Sequence, residues 1–462
     1  MRIWLRSYAP LFLLIFSVMF LWIMQWSSLN LPYFWDEMGV YGKGIQYLLI
    51  HGIGILPQSL PPELSRGHPI LFYSIHALIL KFGVNEFYIS HAASLIFSSL
   101  CLIATYLLAK EFLPKILAAM TSCLLVVQSI FLAQSSLVLP EILIALISIS
   151  SILTFFKGRY TWTILILCIG VMLKESVIIT AAFLGLVYFL QTLSERRLFK
   201  QWKNLLGFTL PLLTLLIYLQ IQQEHHGWYF FPYHTDILQE SAMSGFGEKL
   251  QTHLRFILFN QGRRYWSLAI FVALSSLFLV RERGKLLLVF SFIAVNIGLF
   301  SFAFYMDRYL LFIYPLLAII VVFGVYQVSF RNKAISFLIV LLLCWLSYNQ
   351  HKTTTFRYDV NLAYKDLVNA HLEAVSSLCE QPTETLSCYA NFPINASLED
   401  ITLGYISSAC REKVSLVPLT EKPSFLLLHA MEAPEGYALL NTFIHQQARI
   451  DIYKRIYPDS YH

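Results

Sequence analysis

Charged side chains are scarce in this sequence. They make up 13% of its 462 residues, against 57% hydrophobic ones, where a soluble chain carries about 25% charged residues. With a mean hydropathy of +0.62, that shortage excludes an ordinary soluble globule. No internal repeat and no low-complexity stretch is found, which excludes a solenoid. No CxxC spacing occurs among the seven cysteines, so nothing points to a thiolate metal site. No small-x-small cleavage site follows the first apolar run. That run is also too long for a signal-peptide core, so it reads as a retained helix.

What is present is a series of apolar runs long enough to cross a hydrocarbon core. Eleven spans are expected, at about residues 9–29, 88–109, 116–134, 140–156, 160–173, 176–193, 204–221, 265–280, 286–305, 309–329 and 334–349. With the N-terminus in the cytoplasm, the inward segments carry fifteen basic residues, among them Lys110, Lys157, Arg197, Arg281, Lys285 and Arg331, against three acids, Glu111, Glu195 and Glu282. This obeys the positive-inside rule and accounts for the net charge of +6 without any nucleic-acid partner.

Three polar stretches then face outward. The first, residues 30–87, holds two short amphipathic pieces, about 36–50 and 69–82, expected to lie along the interface with their apolar sides down. The second is 222–264. The third is 350–462, where charge returns and Leu362, Leu367, Leu372, Val375 and Leu378 fall at helical spacing. Apolar runs follow at Ser387–Ala390, Val414–Val417, Phe425–His429 and Ala448–Tyr457. The expected architecture is an all-α polytopic membrane domain, residues 1–349, followed by a small soluble α/β domain able to bury its own core. Cys101, Cys123, Cys168 and Cys344 lie in spans and read as small hydrophobes. Cys379, Cys388 and Cys410 lie outside; the odd number leaves the pairing open, with Cys379–Cys388 the shortest closure.

The ionisable residues at span ends gather on the outer side. Asp36 and Glu37 follow the first span, in Trp35-Asp36-Glu37. Glu141 opens the fourth, Lys174 and Glu175 end the fifth, Arg263 and Arg264 precede the eighth, and Asp307 and Arg308 join the ninth and tenth. Acids at such a boundary are costly unless paired or functional. Each also has a plainer reading: a solvated helix end, a dipole-matched acid for Glu141, an interfacial anchor for Arg263 or Arg264, a turn residue for His68. Together they describe a cavity where a carboxylate takes a hydroxyl proton and cations stabilise a departing phosphate.

The order of these motifs resembles the GT-C superfamily of polyprenyl-phosphate-sugar glycosyltransferases, in the bacterial branch related to aminoarabinose (lipid A) transferases and protein O-mannosyltransferases. The resemblance is carried by Trp35-Asp36-Glu37 with Tyr41 and Gly44, Gly67-His68-Pro69-Ile70-Leu71-Phe72-Tyr73, Phe82-Gly83-Val84-Asn85-Glu86-Phe87, Pro140-Glu141, Leu173-Lys174-Glu175-Ser176, and Tyr305-Met306-Asp307-Arg308-Tyr309-Leu310-Leu311 with Tyr314-Pro315. It implies an enzyme of the bacterial inner membrane, with its active site and C-terminal domain in the periplasm. It would transfer a monosaccharide, with inversion, from a polyprenyl-phosphate donor to a lipid, glycan or protein acceptor. Asp36 would be the catalytic carboxylate and Glu141 a second acid. Lys174, Arg308 and Arg264 would hold the phosphate, and Tyr309, His68 and Glu37 would belong to the substrate site, Glu37 in a supporting role within the loop. A divalent cation is left open. The chain departs from aminoarabinose transferases in having Gly67-His68 in place of Glu-Lys, and Ile70 in place of a second proline. A transporter or flippase of lipid-linked saccharides is the alternative; it would call for broken helices and midplane charges.

Overall fold

The computed structural model describes residues 2–83, 85–243, 245–278, 283–302, 306–352, 359–446 and 448–456. Val84, Arg281, Glu282, Tyr305 and Tyr457, all named above, lie outside them. Among the described residues helix is found at each expected span, with 279–280 and 303–305 of the expected spans lying outside them. Among the described residues, six helical stretches are long and apolar enough to cross a membrane: Tyr8–Ser28, Glu86–Ala109, Val177–Ser194, Trp202–His226, Arg283–Phe300 and Asp307–Val328. Glu141–Phe156, Tyr160–Leu173 and Lys333–Asn349 are shorter apolar helices, and Ser267–Ser275 shorter still. Local sequence explains several ends. Asn85 caps Glu86–Ala109 by accepting from the Tyr88 N–H at 3.1 Å, and Asn332 caps Lys333–Asn349 in the same way. Pro315 stands in the first turn of Tyr314–Val328, where its missing N–H costs nothing.

The third expected span, 116–134, is two helices. Lys115–Val126 and Ser129–Ser136 meet at a bend of 73°. Gln128 sits at the bend in an extended conformation and turns its amide back onto the Leu124 carbonyl. The second piece is wholly buried and leads to Val138, whose N–H bonds Glu37 of the first loop. Tyr314–Val328 runs through the centre of the bundle, buried along nearly its whole length. It can approach Ser267–Ser275 closely because residue 324 is glycine: a Cβ there would stand 1.9 Å from the Ala269 carbonyl oxygen.

The short pieces of the first loop form a wide turn, Glu37–Tyr41, and the helices Gly42–His51 and Leu71–Leu80. They pack on each other: Tyr41 stacks on Tyr73 with ring centroids 5.3 Å apart. Their apolar sides do not simply lie down on a lipid surface, as the sequence pattern predicts. They belong to a protein core completed by the C-terminal region, in which Tyr33, Phe34, Met38 and Phe72 share one cluster with Tyr364, Val375, Cys388 and Phe425. The C-terminal region therefore shares its core instead of burying one alone.

That region contains the helix Tyr364–Cys379 and five strands: β1 Leu386–Ala390, β2 Val414–Leu416, β3 Phe425–His429, β4 Tyr437–His445 and β5 Ala448–Arg455. The sheet order is β2-β1-β3-β5-β4. β1 pairs in parallel with β2 and β3, while β5 runs antiparallel to β3 and β4. The sequence pattern does not show β4, an edge strand whose Leu439, Leu440 and Ile444 are exposed. A disulfide joins Cys379 to Cys410. Cys388 is not in it, because β1 points that side chain into the core.

Candidate functional site

The site is built where helix ends converge under the first loop. The helix Tyr160–Leu173 stops at Lys174, whose backbone turns extended. Glu141 occupies the first turn of Glu141–Phe156, just after Pro140. Arg308 lies in the tight turn Asp307–Ile313 that leads into the central helix. Asp36 opens the wide turn Glu37–Tyr41. It follows Trp35, which has a positive φ of 54°, a conformation a bulky residue holds only when its surroundings enforce it. Here the Trp35 ring is held edge-on by Phe392, with centroids 4.7 Å apart.

These ends bring together an alternating set of charges. Arg308 donates through Nη2 to Asp36 and through Nη1 to Asp359. Its Nε lies 3.6 Å from Glu141 Oε1. The same Glu141 oxygen accepts from Lys174 Nζ at 3.1 Å. Tyr309 offers its ring to both cations, with Lys174 Nζ 4.6 Å and Arg308 Cζ 5.5 Å from the centroid, a favourable cation–π placement. Glu141 Oε2 is buried and has no hydrogen-bond partner among the described residues. Access separates the three acids: the Asp36 side chain is 26% exposed, those of Glu141 and Asp359 only 3% and 2%.

The electrostatics follow from these contacts. Burial pushes Asp36 up, but the Arg308 guanidinium outweighs it, with Arg66 and Lys174 behind, and holds the carboxyl below the usual carboxylate range. Burial alone would lower Lys174, yet Glu141 beside it keeps the ammonium charged. Asp359 is lifted above the usual range by burial, despite Arg308. Next to Lys174, His68 Nδ1 stands 3.0 Å from both carboxylate oxygens of Glu175. Burial raises Glu175, but His68 and then Lys174 bring it down to about 2.

Neither a family model nor a curated protein matches the chain. Solved structures do. ArnT from Cupriavidus metallidurans bound to undecaprenyl phosphate superposes with a TM-score of 0.59 at 12% identity, over 95% of this chain and 97% of that one. Its apo state gives 0.57 at the same identity and coverage. The apo oligosaccharyltransferase of Archaeoglobus fulgidus gives 0.51 at 12% identity, over 89% of this chain and 65% of that one.

The chain has the GT-C fold. Within that fold Asp36, Glu141, Lys174, Arg308 and Tyr309 meet in one cluster, with His68 one ion pair away through Glu175. Two expected site residues stand elsewhere. Glu37 is fully buried. Its carboxylate accepts from the Phe34 N–H at 2.8 Å and from the Val138 N–H, and it meets His91 Nε2 at 3.3 Å. It ties the first loop to the segment that follows Ser129–Ser136. Arg264 is exposed and bonds only its neighbour, Nη2 to the Tyr265 hydroxyl at 2.8 Å. Arg263, beside it, is buried and donates to the Phe256 and Ile257 carbonyls. The 260 turn thus spends one arginine on structure and pairs the other with Tyr265.

Asp359 is the site residue that sequence reasoning missed. It sits between the last span and an amphipathic helix, where an acid reads as a solvated linker residue. As for a metal, no group of three or more His, Cys, Asp or Glu among the described residues is arranged to hold one. Where three carboxylates do converge, the Arg308 guanidinium already lies between them. The residues do not fit a divalent cation in this arrangement.

Proposed function

We propose that this chain is a membrane glycosyltransferase that moves a monosaccharide from a polyprenyl-phosphate donor to a hydroxyl of a lipid, glycan or protein acceptor. The observation that carries the reading is the Asp36–Arg308–Glu141–Lys174 cluster, in which only Asp36 is open to an incoming substrate. In one displacement the acceptor oxygen attacks the anomeric carbon as its proton passes to Asp36. The bond from that carbon to the phosphate oxygen breaks, and the phosphate keeps the electron pair. Arg308 and Lys174 stabilise the charge left on it. Attack opposite the leaving group inverts the anomeric centre. Glu141, with its free Oε2, orients the acceptor hydroxyl. The undecaprenyl phosphate bound by ArnT is the model for the donor's lipid. In this reading residues 1–349 form the catalytic membrane domain of a bacterial inner-membrane protein whose N-terminus is cytoplasmic. The site and residues 350–462 are periplasmic.

The test is Asp36→Asn in a transfer assay with purified protein. A general base contributes about 10²–10⁴-fold, so turnover falls at least a hundredfold while the protein stays inserted and folded. Full activity in Asp36→Asn would sink the catalytic assignment. The bend between Lys115–Val126 and Ser129–Ser136 is the one observation that favours a flippase. An imidazole does meet that bend, His351 lying 3.0 Å from the Val127 carbonyl and 3.2 Å from the Ser129 hydroxyl, but no Asp, Glu, Lys or Arg stands at residues 127–129. Flux of lipid-linked sugar across vesicles at wild-type rate in Asp36→Asn would favour the transport reading.

A further inference from the structure

Arg308 would be held well enough by two carboxylates, Asp36 and Glu141. The chain supplies a third, so that three acids surround two cations, Arg308 and Lys174. An excess buried acid is costly, and worse for a site that must receive phosphate. The third acid, Asp359, comes from outside the helical bundle, in the connection to the C-terminal helix. Its backbone is anchored at two successive carbonyls. The Asp359 carbonyl accepts from Gln134 Nε2 at 2.8 Å, and the Val360 carbonyl from Gln261 Nε2 at 3.1 Å. Asn361 then bonds the Ala363 N–H at 3.2 Å and starts the next helix. The carboxylate is therefore a fixed object, 2% exposed, pressed on one nitrogen of Arg308.

We propose that Asp359 is a positioning residue: it clamps Arg308 Nη1, and so aims Nη2 at Asp36 and at a phosphate arriving beside it. The kinetic part of this rests on the donor reading above; the placement of Arg308 does not. Guanidinium forks prefer to grip a carboxylate with two parallel N–H groups. With Nη1 held by Asp359, Arg308 can give Asp36 only one. Asp36 then keeps an oxygen for the acceptor proton, and Nη2 can pass from Asp36 to the phosphate without the guanidinium turning. Without Asp359, both nitrogens are free to close on Asp36. The base is then tied up and less willing to take a proton.

Asp359→Asn in the full-length protein tests this in two arms. In the substrate-free structure of the variant, Arg308 is expected to turn toward Asp36. An unmoved guanidinium overturns the proposal, whatever the donor is. In the transfer assay with a polyprenyl-phosphate sugar, kcat is expected to fall about tenfold or more with the donor KM changed less than about threefold. The acid limb of kcat should move to lower pH, because a negative neighbour of Asp36 is gone. A purely structural role would lower folded yield and leave the acid limb in place, and that result overturns the proposal. If Asp359→Asn does not fold, Asp359→Glu decides. It keeps the charge but shifts the carboxylate by one methylene, so the acid limb stays while kcat falls several-fold; wild-type kcat overturns the proposal. Failure of undecaprenyl phosphate to bind the wild type removes the donor reading and leaves the substrate-free arm to decide this one.

Discussion

Asp36 is ion-paired to Arg308 and is still the most open of the three acids around it. Its neighbours show how the cluster is graded, with buried Glu141 and Asp359 behind it and the His68–Glu175 pair at one side. The pair makes a testable contribution to stability. Glu175 is held down to about 2 in the folded protein, from an ordinary value of 4.5. A lowered carboxyl stabilises the fold above the unfolded value and loses that effect as pH falls through the folded one. Glu175→Gln should therefore cost about 1 kcal/mol at pH 7, the figure being small because the carboxylate is partly open to screening solvent. Melting curves at pH 7 and pH 3 should show the gap between variant and wild type narrowing in acid. A gap independent of pH would mean that His68 does not set the charge of Glu175. Residues of this kind were legible in sequence because each closes or opens an apolar run. Glu37 and Arg264 occupy equally conspicuous places, yet their side chains go elsewhere. One satisfies the Phe34 and Val138 backbone N–H groups, the other points at Tyr265. Side-chain direction at a turn is set by tertiary partners, which no local pattern displays.

Among the elements, the central helix Tyr314–Val328 depends on a single missing side chain. Helices in a membrane gain little from apolar burial against each other, so close backbone approach through small residues supplies much of the packing. Gly324→Ala forces a Cβ against the Ala269 backbone. It should cost about 1–3 kcal/mol as overpacking, read as a lower melting temperature in detergent. Unchanged melting would mean that the two helices are not so tightly apposed. The helices themselves were readable from apolar run length. The break at Gln128 was not, because no proline or glycine marks the bend. The strand β4 escaped for the opposite reason. Tyr437–His445 lies at a sheet edge with most of its apolar residues exposed, so alternation, the usual sign of a half-buried strand, is missing.

For the molecule as a whole, the governing fact is the core shared between the first loop and the C-terminal region. Glycine at 404, with a φ of 89°, lets that region sit against Phe87 and Pro32; a Cβ there would stand 2.6 Å from the Phe87 ring. The Cys379–Cys410 bridge closes a loop of 31 residues in the same region. Cys379→Ser should cost about 3–4 kcal/mol by the loop-entropy relation. It should also abolish the mobility shift between reduced and non-reduced protein on a gel. A shift that persists would mean a different pairing.

The shared core also sets an order of events during synthesis. Asp36 is made near the start of the chain, but Arg308 follows 272 residues later and Asp359 a further 51. Lys365, which reaches back to the Met24 carbonyl, comes later still. Contacts so distant along the chain form late. A ribosome-bound fragment ending at the last span would carry the first loop but neither the C-terminal part of its core nor Asp359. In the reading proposed here, each new molecule stays inert toward the lipid carriers around it until the region that follows its last span has been exported and docked.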